Sequence, residues 1–374
     1  MIETKPPQAL SLYDLIAREW ALSEPVTRVI FNSNHSAVAC TLADGRLALL
    51  PVADAEHPEQ RIRMELETGR TTIRPRNDAL PTPRLTSPLS GDGVICRLGD
   101  QGFAMSGPGT TLWQVTAGGQ TVRLAREGAA PVSALCLVGQ GRVCIARQTR
   151  LSLVEPDGKT EVASIELPSA VRHLARAPGG EALAAWAEGQ LFVLRADTLE
   201  IADTIAVTGE ATGLAWSPDG RWIAAGCTDK ALGLVDLSRG KSDRIVDFPA
   251  PVASAVFDAK SRMLVASGAF RVVGWRLPDL PFGSHEGEPI QTGKPGLTVV
   301  ERIAANPVRE TCAVGYANGL VTLCHPGQRD ELMLCEGRGA PVTTLVWSDD
   351  GTHLALGFAD GRAAIVTFPK AMFK

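Results

Sequence analysis

What this chain has little of narrows its class first. Aromatic residues make up 5% of it, with only two tyrosines, so a core must be assembled from valine, leucine, isoleucine and alanine. No apolar run approaches the ~20 residues needed to span a bilayer. The opening stretch MIETKPPQALSLYDLIAREW lacks the basic start, long apolar middle and small-residue cleavage site of an export signal. We therefore read the chain as cytoplasmic, without membrane insertion. Charge imbalance is missing too. Lys and Arg number 37 against 41 Asp and Glu, a formal net charge of -4, which excludes the basic excess of a nonspecific nucleic-acid binder.

Site motifs are equally sparse. None of the eight cysteines forms a CxxC pair, and no HxH, HExxH or DxDxDG pattern occurs, so no metal spacing is written in the chain. Most cysteines lie inside apolar runs such as ALCLV, RVCIA and AVACTL, which reads as reduced, buried thiols acting as small hydrophobes. There is no GxSxG, and no phosphate- or dinucleotide-binding glycine motif between a strand and a helix. No cofactor is expected, and catalytic, cofactor and metal residues are assigned to none.

What the chain does have is repetition. GLAWSPDGRWIAAGCTDKALGLVDL at Gly213–Leu237 is nearly copied by TLVWSDDGTHLALGFADGRAAIVTF at Thr344–Phe368, and again by RVIFNSNHSAVACTLADGRLALL at Arg28–Leu50. Apolar residues open similar units at Val26, Val132, Val171, Ala211, Val252, Val300 and Val342, 39 to 48 residues apart from Val132 onward but 106 apart from Val26 to Val132. One more opening is needed between Val26 and Val132. Setting Cys96 on Cys40 puts it at Thr82. Within each unit, short β-branched-rich runs alternate with Gly, Asp, Asn and Pro turns such as SPDG, SDDG and ADGR. That is the grammar of antiparallel hairpins, while helical periodicity is absent over nearly all the chain. Fourth strands fit EVASIEL (Glu161–Leu167), IADTIAV (Ile201–Val207) and DRIVDF (Asp243–Phe248).

Four strands every ~40–45 residues is the period of a propeller blade. A lone blade cannot bury both faces, so blades must stack and the ring must close. The expected fold is all-β: one closed β-propeller domain over 1–374, of four-stranded antiparallel blades, eight in number with seven as the alternative. The last unit supplies three strands and ends at FPKAMFK. LIAREWALSE (15–24) stands where a fourth strand would, and the segment 10–23 is expected to complete the last blade.

At LAWSPDGRWIAAGCTDKALGLVDL the chain resembles the WD-repeat propeller family, with VD where that family often has Trp-Asp. The resemblance spans essentially the whole chain, but only the units at 211 and 342 are good copies. No Gly-His pair precedes an inner strand and Trp-Asp is never intact, so the family's His–Asp network is mostly missing. Stability should rest on apolar packing between blades, with the aspartates of ADGR and CTDK serving their hairpins. Quinone-cofactor dehydrogenases are also eight-bladed, but they are exported and carry a repeated tryptophan motif; here the seven tryptophans fall at unrelated positions.

The resemblance implies a noncatalytic scaffold or accessory subunit that docks proteins on the propeller face, channel mouth and inserted loops. The alternatives are a propeller enzyme or a small-molecule or metal sensor with its site at the channel. Two residues after each opening stand Arg28, Arg84, Ala134, His173, Gly213, Ser254, Arg302 and Thr344, with Arg172 and Glu301 in the neighbouring register. If these line the channel, Arg28, Arg84, Arg172, His173 and Arg302 form a basic collar for an acidic tail or anion. The charged, proline-containing insertion 54–84 offers Arg74 and Arg76. Its RIRMELET is expected as the first blade's outer strand and GRTTIRPRNDALPTPR as a protruding loop. The loop 277–296 offers an exposed-looking Phe282.

Overall fold

The computed structural model describes residues 10–64, 71–87, 89, 94–100, 102–107, 109–125 and 130–373. Among them are eight four-stranded antiparallel sheets and one separate two-stranded ribbon. The innermost strands contact one another in sequence around the ring, and Val342–Trp347 of the eighth blade returns to Val26–Phe31 of the first. The chain is therefore an eight-bladed, all-β propeller.

Its core is distributed. The buried apolar side chains of the described residues fall into eight clusters, and each cluster straddles one blade–blade boundary. The residues that open the repeats are the plugs of these clusters. Val26, Val171, Val252, Val300 and Val342 are all essentially inaccessible. The reason lies in the strand pleat. Both faces of a blade meet a neighbour, so the second strands AVACTL and WIAAGC and the third strands LALLP and LGLVD read as continuous apolar runs rather than as alternation.

The turns do what their composition implies. In both ADGR turns the aspartate carboxylate accepts the backbone N–H two residues on, Asp44 from Arg46 at 3.1 Å and Asp360 from Arg362 at 3.2 Å. Gly45 and Gly361 take the left-handed conformation (φ 82° and 86°) that closes the hairpin. In SPDG and SDDG, Ser217 and Ser348 hydroxyls accept the N–H of Trp222 (2.8 Å) and His353 (3.0 Å).

The second blade corrects the sequence reading. Its inner strand is Ile95–Leu98, followed outward by Gly102–Ser106, Leu112–Thr116 and Thr121–Ala125. ICRL is thus a first strand, not the second strand that its likeness to AVACTL implied, and the opening does not lie at Thr82. Arg84–Leu85 is instead the two-residue outer strand of blade 1, paired with Ala48 and Leu49. RIRMELET does not supply that outer strand. Ile62–Met64 pairs with Thr71–Ile73 in the separate ribbon, and residues 65–68 lie outside the described residues. Hairpin grammar repeats within a blade as well as between blades, so local similarity alone cannot tell one strand from the next.

The ring closes at its chain ends. After a one-turn helix, Leu12–Ile16, capped by Ser11, the strand Ala17–Ala21 pairs antiparallel with Arg362–Val366 as the fourth strand of blade 8. Across the seam, Arg18 takes the place of a longer outer strand on blade 1. Its buried guanidinium donates to the carbonyls of Pro51 (3.0 Å), Val52 (2.7 Å) and Ala53 (2.9 Å). Asp54 lies 3.7 Å from Arg18 Nε and 2.5 Å from Arg76. Burial opposes ionisation of Asp54, but the Arg76 hydrogen bond and the Arg18 charge outweigh it and hold the carboxyl below its usual range. Arg61 adds a second clasp, donating to the Leu15 and Arg74 carbonyls at 2.6 and 2.5 Å. The stretch after Val52 thus lies between the third and fourth strands of blade 1 and straps the closing segment down.

Beside this seam, burial pushes His353 down to about 4 against the pull of Asp350. The native state holds this imidazole neutral, with Nδ1 3.0 Å from the Thr367 hydroxyl. An unfolded histidine protonates near 6.5, so the stabilisation is whole above that pH and is lost as pH falls toward 4. Urea denaturation at pH 7 and 4.5 should show this loss, and His353→Gln should flatten it. An equal loss in the variant would assign the acid sensitivity to the carboxylates instead.

Candidate functional site

The channel is walled by the eight inner strands, and its two mouths differ. The repeat openings mark one mouth. There, in blades 1, 5, 7 and 8, the turn between second and third strands bonds back to the residue before the opening: Ala43 N–H to Pro25 O, Thr228 N–H to Glu210 O, Ala317 N–H to Val299 O and Ala359 N–H to Pro341 O. Five inner strands carry a β-bulge immediately after the opening, at Val26/Arg28, Val171/His173, Ala211/Gly213, Val300/Arg302 and Val342/Thr344. A bulge places two residues against one and twists the strand. Here it frees the next side chains to reach the neighbouring blade.

That reach builds a belt of cross-blade hydrogen bonds. His173 Nε2 donates to Ala211 O (2.7 Å), Thr212 Oγ1 to Val252 O (2.8 Å), Arg302 Nε to Thr343 O (2.6 Å) and Thr343 Oγ1 to Val26 O (2.6 Å). At the far ends of the inner strands, Trp216 and Trp347 donate backward to Ala175 O (2.9 Å) and Ala304 O (3.0 Å). These tryptophans occupy equivalent positions of two repeats. This corrects the expectation that the tryptophans fall at unrelated positions; AWSPDG and VWSDDG carry the signal.

Arg28, His173 and Arg302 are brought together here. Burial lowers the pKa of each. The Arg28 charge depresses His173 and Arg302 further, while the Ala211 carbonyl supports the proton on His173 and Glu301 supports that on Arg302. Among the described residues, Arg28 has no ion-pair partner, although its side chain is exposed to the channel. A guanidinium hemmed in by protein and left without a counter-ion is a place where an anion gains more than it would at an open surface. Arg172, also exposed, lines a cavity of about 510 Å³ at this mouth with Glu188, Glu210 and the buried Trp186 as floor.

The other expected contacts lie elsewhere. Arg84 sits on the outer rim of blade 1 and donates to Gly118 O at 3.0 Å, so it is absent from the collar. Arg76 is engaged by Asp54 and Glu56 in the strap, whereas Arg74 is exposed there. Phe282 is buried, contrary to its exposed look in the sequence. Its ring packs edge-on against Trp222 at 5.4 Å, and Arg239 lies over it at 5.8 Å. A proline-rich loop reads as solvated, but this one folds back to supply Ile290–Thr292 as the outer strand of blade 6.

At the opposite mouth a cavity of about 490 Å³ is lined by Trp216, Trp347, Arg176 and Asp349, among others. Its carboxylate is already engaged. Arg97 grips Asp349 through both nitrogens, at 2.5 and 3.0 Å, and the Asp349 N–H bonds His35 Nε2 at 3.2 Å. No group of three or more His, Cys, Asp or Glu that could hold a metal ion occurs among the described residues, and no helix among them is long and apolar enough to cross a membrane.

Comparison with known proteins agrees with this architecture. Residues 181–253 match the model of the anaphase-promoting complex subunit 4 WD40 domain. No curated protein sequence matches the chain. Among solved structures, the computationally designed Ika8 protein superposes with a TM-score of 0.67 at 16% identity, covering 95% of this chain and 100% of that one. A chain of the Mitotic Checkpoint Complex superposes with a TM-score of 0.58 at 13% identity, covering 74% of this chain and 90% of that one. At such identities these likenesses concern the fold alone.

Proposed function

We propose that this chain, a divergent WD-repeat β-propeller, is a noncatalytic interaction module that docks an acidic segment of a protein partner at the mouth marked by the repeat openings. The observation that carries the reading is Arg28. It is a cation on the channel wall with His173 and Arg302 close by and no counter-ion among the described residues. Three cations, Arg28, Arg172 and Arg302, stand at this mouth beside His173, which burial holds toward its neutral form, with Glu188, Glu210 and Glu301 nearby. The domain named in the sequence match belongs to a subunit of a complex, which favours a role as a subunit or scaffold. Eight free cysteines, two pairs of them facing each other across strands as Cys136–Cys144 and Cys312–Cys324, favour a reducing compartment such as the cytoplasm.

Affinity purification from the native cell with mass spectrometry tests the reading, and a stoichiometric protein partner is expected. Arg28→Glu should then weaken that partner about tenfold or more, with the fold unchanged because the side chain is exposed. Unchanged affinity in the variant would sink the collar.

A further inference from the structure

Most large apolar side chains that remain exposed are scattered over outer strands, but two stand on neighbouring loops of the face that carries the collar. Phe270 is 45% exposed and Leu297 98% exposed. Phe270 lies in the turn between the second and third strands of blade 6. Leu297 lies in the connection from blade 6 to blade 7. The two loops are tied together by Val300 N–H to Ala269 O (2.9 Å) and Gly268 N–H to Val300 O (3.0 Å), and a Cβ on Gly296 would stand 3.6 Å from Phe270 O. The pair is therefore held on a hydrogen-bonded ledge. A leucine presented almost wholly to water on such a ledge gains nothing for the fold.

The ledge loops themselves carry only cations, with the Glu331 carboxylate of blade 7 beside Gly293 at their outer end. Residues 268–271 and 293–299 carry Arg271 and Lys294 and no carboxylate. The ledge leads directly into Val300–Ala305, whose Arg302 belongs to the collar and whose one acidic residue is Glu301. We infer that Phe270 and Leu297 form an apolar anchor point beside the collar, and that the occupant is an acidic protein segment carrying large apolar side chains. Its carboxylates face Lys294, Arg271, Arg302 and Arg28 while its apolar side chains cover Phe270 and Leu297. The inference rests on the interaction-module reading and adds to it the chemistry of the partner.

Fluorescence anisotropy with two labelled twelve-residue peptides tests it. One alternates Asp and Glu and carries one Leu and one Phe; the other has Ser at those two places. The first should bind at least about tenfold more tightly, from burial of the two side chains. The double variant Phe270→Ser, Leu297→Ser should erase that preference with an unchanged melting temperature, while Arg28→Glu should weaken both peptides alike. Equal binding of the two peptides, or a preference that survives in the double variant, overturns the anchor, and a loss with Arg28→Glu would still support the collar. If neither peptide binds the wild-type chain, the acidic-segment inference falls, and partner purification decides the broader reading separately. Vesicles of phosphatidylserine that bind Phe270 and Leu297 while the peptides do not would overturn it in favour of a lipid surface.

Discussion

Deleting residues 1–21 will lower the melting temperature by about 10 °C or more and leave the protein prone to aggregate. The described part of this segment carries Tyr13, Ile16 and Trp20, all buried in the clusters on either side of blade 8. Full burial of each such side chain contributes about 1.5–3 kcal/mol. Arg18 contributes three hydrogen bonds to blade 1 carbonyls that no other described group satisfies at those distances. Without Ala17–Ala21 the edge of Arg362–Thr367 is left unpaired, and an open strand edge is a template for association. Scanning calorimetry with light scattering measures both effects. The single variant Arg18→Met separates the clasp from the strand. It keeps the strand's backbone pairing but removes the buried cation, leaving Asp54 with Arg76, and should cost about 3–5 kcal/mol. A truncated protein with an unchanged melting temperature would mean that the ring is not held by its N-terminal strand.

The second large effect is expected from a single methyl group. In blades 5, 7 and 8 the penultimate residue of the second strand is glycine: Gly226, Gly315 and Gly357. At each, an added Cβ would strike the residue that opens the next blade. At Gly315 it would stand 2.6 Å from Val342 Cγ1, at Gly357 2.6 Å from Val26 Cγ1, and at Gly226 it would overlap the Val252 carbonyl with Thr212 Oγ1 at 2.7 Å. The Gly226 case is the most severe, because the obstacle is backbone and the Thr212–Val252 hydrogen bond occupies the same space. Gly226→Ala should destabilise by about 3 kcal/mol. Gly213→Ala is its control. Gly213 lies on the inner strand of the same blade with nothing within 4 Å of its would-be Cβ, so substitution there should be neutral or slightly stabilising. Equal effects in the two variants, measured by urea denaturation, would count against glycine as the residue that sets the spacing between blades.

These glycines show how the fold was legible and where legibility stopped. The openings stand out as apolar residues at a regular period because each must plug the boundary with the preceding blade. The turns stand out because SPDG, SDDG and ADGR solve the same backbone problem each time. The completion of blade 8 by the N-terminal segment could be inferred from a missing fourth strand in the last repeat. Blade 2 failed the same logic. ICRL resembles AVACTL as a strand, but a strand's rank within its blade depends on which edge its neighbours occupy, and local pattern does not carry that. Phe282 failed for a related reason. PFGSHEG reads as a solvated loop until Trp222, 60 residues earlier in the chain, offers its ring.

The site divides along the same line. Arg28, His173 and Arg302 were visible as a register because inner strands repeat in step. That Arg302 and His173 are tied into cross-blade hydrogen bonds while Arg28 is not follows from bulges and neighbouring carbonyls, which only packing reveals. Arg84 belonged to that register only while Thr82 was held to open a blade.

By itself, the order of amino acids determined the repeat, the strand-and-turn grammar and the need for a closed ring, because these follow from local backbone preferences and from apolar runs that must be covered on both faces. The tertiary structure alone decided which strand lies innermost in blade 2, how the insertion clamps the closing strand through Arg18, Asp54 and Arg76, and which groups at the mouth are tied into cross-blade hydrogen bonds. Those outcomes depend on distances between residues far apart along the chain, and electrostatic and packing energies act through distance in space rather than through separation in sequence.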